Sequence, residues 1–319
     1  MRAKVSAGLR EPADRSTVVY PFLGTDAVDL WFLRLSGYGL GNCFYTYFHA
    51  AALADRYHAR LIAPPWFSLK IGPLLRGESS KRLYWRMFKP YSGDIHGVEK
   101  LVTLLRTYRK RVVLKVGEPS EPVIVKGALN LVVSSRFTFV GLHPYRGAIR
   151  ERILGTINDP VPENHRWGSG GYLAVHIRLG DFFEVTDHAL VNTAHPSPNF
   201  RIPMSWYIDL VSALRKRHRD KRIFVFSDGE EKLLKPVLDQ GAELYRSGSD
   251  ITDLLAMAGA SMLVGSNSTY SRWAAFLGNM PSIWLKTSAN PEKPTDLEIP
   301  ICYLPLDCSG PAFLDRLSP

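Results

Sequence analysis

From Tyr172 to Leu285 the chain alternates short apolar runs with stretches of helical spacing, and this pattern constrains its fold more than any other feature. Tyr172–Ile177, Arg222–Phe226, Ala242–Tyr245, Met262–Val264 and Ser282–Leu285 read as strands. Pro203–Arg217, Glu230–Gln240, Asp250–Ala260 and Ser268–Leu277 read as the helices between them. Short strands that are apolar throughout are buried on both faces, so the helices must cover both sides of a parallel sheet. The fold class is α/β, doubly wound.

The first half opens in the same way. Asp29–Leu35 reads as a buried strand, Ser36–Asn42 as a glycine-rich turn, Cys43–Tyr57 as a helix and Ala59–Ala63 as a strand closed by Pro64-Pro65. Strands at Arg111–Val116, Pro122–Lys126 and Leu129–Val133 follow, then a helix over 145–157; residues 66–110 show no clear period. A chain of 319 residues exceeds what one core usually organises. Pro160–Gly171, rich in proline, glycine and asparagine, is the natural linker. The reading is a disordered arm over 1–16, a Rossmann-like domain over 17–160 and a second over 161–319, whose tail packs back on the first.

A net charge of +10 suits anionic partners, among them nucleotide-sugars, phosphorylated lipids, anionic membrane surfaces and nucleic acid, although such an excess also simply keeps proteins soluble. Cys43, Cys302 and Cys308 have neither metal-ligand spacing nor a CxxC pair, which favours a reducing compartment and no disulfide. No apolar run reaches transmembrane length, and the polar N-terminus has no signal-peptide core. A cytoplasmic location, or a peripheral one at a membrane, is expected.

Three strand ends carry polar clusters: His176-Ile177-Arg178-Leu179-Gly180-Asp181, Phe226-Ser227-Asp228-Gly229 and Gly265-Ser266-Asn267-Ser268-Thr269. Carboxyl ends of parallel strands share one edge, where ligands bind. The Arg178 guanidinium is a fork of donors suited to phosphate; its alternative is an ion pair with Asp181 or Asp228. Asp228 also fits a turn. Ser266, Asn267 and Ser268 either cap the following helix or, with its free N–H groups, hold a phosphate. Gly37, Gly39 and Gly41 are spaced GxGxG rather than GxGxxG, and no acidic residue closes the next strand, which argues against an NAD site. GxxxxGK[ST], HExxH, GxSxG and DxD are all absent, so neither a metal nor a cofactor is expected.

In this order the segments resemble the α-1,2-fucosyltransferase family, with the α-1,6- and protein O-fucosyltransferases as more distant relatives. The family's HxRRGD is matched by 176–181, its FSDD by 226–229, its NSSFSWWAAWL-like segment by 267–277 and its GLGNQ-x-F turn by Gly39-Leu40-Gly41-Asn42-Cys43-Phe44. The resemblance covers roughly 30–60 and 170–286. It implies a GT-B arrangement of two Rossmann-like domains facing a cleft. It also implies inverting, metal-independent transfer of L-fucose from GDP-β-L-fucose to a glycan hydroxyl, in α-linkage, with α-1,2 as one outcome. Arg178 would then hold the β-phosphate, His176 and the Ser227-Asp228 pair the guanosine side, and Ser266, Asn267, Ser268 and Thr269 the pyrophosphate. Gly39, Gly41 and Asn42 would close over it. Glu184 is the preferred base, with Asp181, Asp187, His188 and His49 as alternatives. Leu179, Cys43, Gly229 and Arg272 depart from the family's pattern and bear on subfamily, linkage and sugar. Two other readings stand: transfer of a different sugar from its nucleotide, or a basic module that binds glycans or polyanions through Lys81–Arg86 with a degenerate donor site. For the leading reading no nucleic acid is expected.

Overall fold

The computed structural model describes residues 16–24, 28–69, 83–118, 122–161, 167–184, 200–286 and 296–306. The first half contains β1 (Val18–Pro21), β2 (Val28–Asp29), β3 (Arg34–Leu35), α1 (Leu40–Arg56), β4 (Arg60–Leu61), β5 (Ser68–Leu69), α2 (Gly97–Thr107), β6 (Arg111–Val116), β7 (Leu129–Ser134) and α3 (Arg146–Thr156). Strands β4-β1-β7-β6 form a parallel sheet, and β2-β3-β5 a small separate one.

The segment 29–35 is therefore not the first core strand. It is split between β2 and β3, with a left-handed turn at Trp31 (φ 70°). Arg34 explains the split. It is fully buried, and its guanidinium donates to the carbonyls of Leu23 (2.7 Å) and Pro65 (2.9 Å). Those bonds pull the segment out of line with the main sheet. The central strand is β1, which is buried throughout. Residues 122–126 also form no strand. The Asn130 side chain holds them instead, accepting from the Val125 N–H (2.8 Å) and donating to the Val125 carbonyl (3.1 Å).

The second half contains β8 (Tyr172–Ile177), α4 (Met204–Arg217), β9 (Arg222–Ser227), α5 (Glu231–Leu238), β10 (Glu243–Leu244), α6 (Asp250–Gly259), β11 (Met262–Val264), α7 (Thr269–Gly278), β12 (Ser282–Leu285) and β13 (Ile301–Leu304). All six strands are parallel, in the order β10-β9-β8-β11-β12-β13. Counted along the chain this is 3-2-1-4-5-6, the order of dinucleotide-binding sheets. The chain steps outward from β8 to β10 and returns to lay β11 beside β8. Connections leave those two neighbours in opposite directions and open a crevice between their carboxyl ends. Each half is thus built on a parallel α/β sheet of the Rossmann-like kind the sequence led one to expect.

Alternation along β8 divides the core. Leu173, Val175 and Ile177 pack with Trp206, Leu210 and Val211 of α4, while Ala174 faces the cluster that includes α6 and α7. The latter cluster crosses between the halves. Trp273 of α7 lies 5.6 Å from Phe44, 5.0 Å from Tyr45 and 5.3 Å from Phe48 of α1, ring centre to ring centre. Burial of these rings holds the two units together along that seam.

Candidate active site

The sheet order puts the three polar clusters side by side. Val175 pairs with Val264, and Ile177 with Ser227. Arg178, one residue beyond β8, therefore lies between the loop that starts α7 and the loop after β9. One guanidinium nitrogen is 2.6 Å from Asp228 Oδ2 and the other 2.5 Å from Asp181 Oδ1. The group lies over the Phe182 ring, 5.4 Å from its centre. Its Nε is buried and has no acceptor, an unmet valence of the kind that marks a ligand site.

Both ion-pair alternatives for Arg178 are realised, and they revise the roles of the two aspartates. Asp228 accepts from the N–H of Leu179 (2.8 Å) and of Gly180 (3.1 Å) besides pairing with Arg178. Its carboxylate is filled by three donors of its own chain, so it braces the arginine loop rather than facing a nucleoside. Asp181 is engaged by Arg178 at the mouth of the same loop. Arg201 grips the same loop from the other side, its Nε donating to the Leu179 carbonyl (2.7 Å). Ser227 accepts from the Gly229 N–H (3.0 Å) and closes the neighbouring turn.

His176 also differs from expectation. It is buried, with Nδ1 at 2.5 Å from Ser271 Oγ and 2.8 Å from Ser266 Oγ. Ser271 Oγ in turn accepts the Ser266 N–H at 3.1 Å. Burial pulls the imidazole pKa well below its ordinary value; Asp228 opposes this and Arg178 adds to it. The neutral ring pins the loop 265–268 and does not reach out to the guanosine side. Strand alternation is the reason, since it turns position 176 into the packing layer under α7.

That loop ends in the N-terminus of α7. Ser266 is buried, and Ser268 is the cap, its Oγ accepting the Tyr270 N–H at 3.2 Å. Asn267 and Thr269 are half-buried beside it. The N-terminus of α1 meets it there. Gly39 is that helix's N-cap, with no side-chain cap bond. Gly41 lies so close to α7 that a Cβ on it would be 2.8 Å from Thr269 Oγ1. The Trp273 indole N–H bolts the pair by donating to the Gly41 carbonyl at 2.7 Å. Asn42 Oδ1 is buried without a donor. Two helix N-termini, one from each sheet, thus converge beside a braced guanidinium. Their free N–H groups and dipoles favour an anion there.

The departures at 179 and 229 interlock. A Cβ at Gly229 would lie 2.3 Å from Leu179 Cδ1, so the leucine occupies the space a side chain at 229 would need. Arg272 pairs with both carboxylate oxygens of Asp296 (2.5 and 2.6 Å), and Asp296 also accepts the Phe139 N–H at 3.2 Å. This ties residue 296 to both halves. Of the base candidates, Glu184 is exposed. His49 is buried in α1 with Nε2 2.9 Å from the Thr138 carbonyl, and burial lowers its pKa; it is a structural group. Asp187 and His188 lie outside the described residues, as does Cys308. Ser271, Arg201 and Trp273 are the site's unforeseen members. Ser271 and Trp273 had a sequence signal, their place in the segment matched over 267–277; Arg201 had none.

The model for glycosyl transferase family 11 matches residues 150–298. No curated protein matches the chain in sequence. Among solved structures it is similar to the α-1,6-fucosyltransferase NodZ soaked with GDP-fucose, with 13% identity over 87% of this chain and 97% of that one and a TM-score of 0.43. It is similar to POFUT1 in complex with GDP, with 13% identity over 84% and 98% and a TM-score of 0.48. It is also similar to the E. coli heptosyltransferase WaaC with ADP, with 12% identity over 94% and 96% and a TM-score of 0.42.

Proposed function

From the match of the glycosyl transferase family 11 model to residues 150–298, we propose that this chain is a divergent member of that family and transfers L-fucose from GDP-β-L-fucose to a hydroxyl of a glycan acceptor. The single observation that carries this reading is the braced Arg178 at the switch between β8 and β11, flanked by the N-termini of α1 and α7.

The chemistry follows from the charge that builds on the leaving diphosphate. As the bond from the sugar C1 to the β-phosphate oxygen breaks, negative charge develops on that phosphate. Donors already oriented there stabilise the transition state without reorganising. Asp181 and Asp228 hold the guanidinium in place before the donor arrives. The free N–H groups of α1 and α7 supply further donors. In this reading the arginine and helix termini do the work of a divalent cation, and the reaction needs none. Attack of the acceptor hydroxyl on the face opposite the leaving group inverts C1 and gives an α-linked product, with α-1,2 as the proposed linkage. Glu184, the exposed carboxylate of the loop after β8, is the proposed base, preferred over Asp181 because Asp181 is already paired with Arg178.

The test is a donor panel with thermal shift. GDP should raise the melting temperature more than UDP or ADP, by linkage, and GDP-fucose should turn over equally well with a chelator present. Arg178→Ala should lower turnover by about 100- to 1000-fold. If that variant keeps wild-type GDP affinity and rate, or if another nucleotide-sugar is the better donor, the assignment is wrong. A glycan array developed with GDP-fucose then reads the acceptor and linkage.

A further inference from the structure

Helix α2 shows its apolar residues to solvent. Lys100 and Leu104 face inward, the lysine donating to the Ala63 carbonyl at 2.6 Å. Val98, Leu101, Val102 and Leu105, at the i, i+3, i+4, i+7 spacing of one helix face, point the other way, with Val98 77% and Leu105 66% exposed. The helix runs directly into Arg106, Arg109, Lys110 and Arg111, all exposed. Tyr108, also exposed, meets Trp31 edge-on at 6.4 Å and carries the Arg111 guanidinium 4.3 Å over its ring. Trp31 lies in the turn between β2 and β3, flanked by exposed Leu30 and by Phe32, 72% exposed. The result is one apolar ridge, from Val98 to Phe32, with a cationic rim.

Single exposed apolar side chains need no explanation, but a contiguous ridge of this kind marks an interaction surface. The rim decides what fits it. A second copy of the chain would set the same cations against each other, on a molecule of net charge +10. Glu99, the acidic residue on α2, is engaged by Arg60 at 2.6 Å and does not offset them. An anionic bilayer accepts both features, with apolar side chains at the acyl boundary and cations among the headgroups.

We propose that this ridge docks the protein on an anionic membrane surface, with α2 lying in the headgroup plane. None of the ridge residues belongs to the clusters that form the donor site, so the proposal stands or falls independently of the sugar transferred. The test is co-sedimentation of the full chain with phosphatidylcholine vesicles, with and without phosphatidylglycerol. Binding should require the anionic lipid and weaken as salt rises. Leu101→Asn with Leu105→Asn should lower partitioning about tenfold or more, as should Arg106→Gln with Arg109→Gln and Lys110→Gln. Both variants should keep their melting temperature and their rate of GDP release from GDP-fucose in solution. Equal binding to neutral vesicles, no binding to either kind, or unimpaired binding by both variants would overturn the proposal. So would a dimer in light scattering that the leucine substitutions abolish, which would assign the ridge to a second copy.

Discussion

Gly39 and Gly41 belong to one turn and should respond to alanine in opposite ways. A Cβ at Gly41 meets Thr269 Oγ1 at 2.8 Å, and the Thr269 carbonyl carbon and Tyr270 nitrogen at 3.1 Å. Ordinary contact needs roughly 3.5–4.0 Å. Threonine can rotate its hydroxyl aside, but the two backbone atoms cannot move without the helix. The N-termini of α1 and α7 must therefore separate by about half an ångström. Overpacking of this kind costs about 1–3 kcal/mol. Nothing lies within 4 Å of a Cβ at Gly39, whose φ of −65° suits any residue, so Gly39→Ala should stay within about 0.5 kcal/mol of wild type. Urea unfolding measures the stability of both variants, and titration with GDP measures the site. Gly41→Ala should lose both stability and about tenfold in GDP affinity, because the separation moves helix N–H donors off the phosphate. Thr269→Ala in the Gly41→Ala background should recover only part, since the contacts at 3.1 Å remain. Equal losses for the two glycines, or full GDP affinity in Gly41→Ala, would refute close approach as the reason for glycine.

Three other outcomes follow from the site. Gly229→Asp should destabilise by about 1–3 kcal/mol through its clash with Leu179, and Leu179→Ala should relieve much of that loss; a double-mutant cycle by urea unfolding reads the coupling. Trp273→Phe keeps the aromatic packing but removes the indole donor from the Gly41 carbonyl, which should cost about 0.5–1.5 kcal/mol in urea unfolding and raise KM for the donor. Burial lowers the pKa of His176 in the folded chain, so below about pH 6.5 the unfolded chain binds the extra proton. Stability should rise with pH through that range, and fall by up to about 1.4 kcal/mol per unit on acidification below it. His176→Gln should flatten that slope, as read from urea midpoints at several pH values.

The strands of the second half were legible because each is apolar throughout and bounded by turn residues. Their order was not, because neighbour choice depends on which helices pack together. That order makes Arg178 and Ser266 neighbours across β8 and β11. β1 is hard to see because its four residues end in a proline and follow a polar arm. β13 escaped because only Leu304 in it is fully buried. α2 escaped because its helical spacing spans only three turns within a stretch rich in aromatic and basic residues; its apolar stripe faces solvent, and a lysine and a leucine face inward. The misreading of His176 has a different cause. A polar residue at the end of a strand reads as a ligand contact, and its actual partner, Ser271, lies 95 residues away on a helix.

The departures from the fucosyltransferase pattern are best understood as paired. Leu179 and Gly229 stand where the family pattern has arginine and aspartate, and here the leucine fills the space beside the glycine. A side chain at 229 and a leucine at 179 compete for the same space, so the two departures are coupled. Arg272 stands where the pattern has tryptophan, and its bidentate pairing with Asp296 replaces ring packing with an ion pair. Both exchanges change what supports the site. Neither reaches Arg178, whose guanidinium turns to Asp181 and Asp228 while Leu179 turns into the core beside Ile177 and Phe200. The divergence thus falls on the supporting packing and leaves Arg178 and the N-termini of α1 and α7 together.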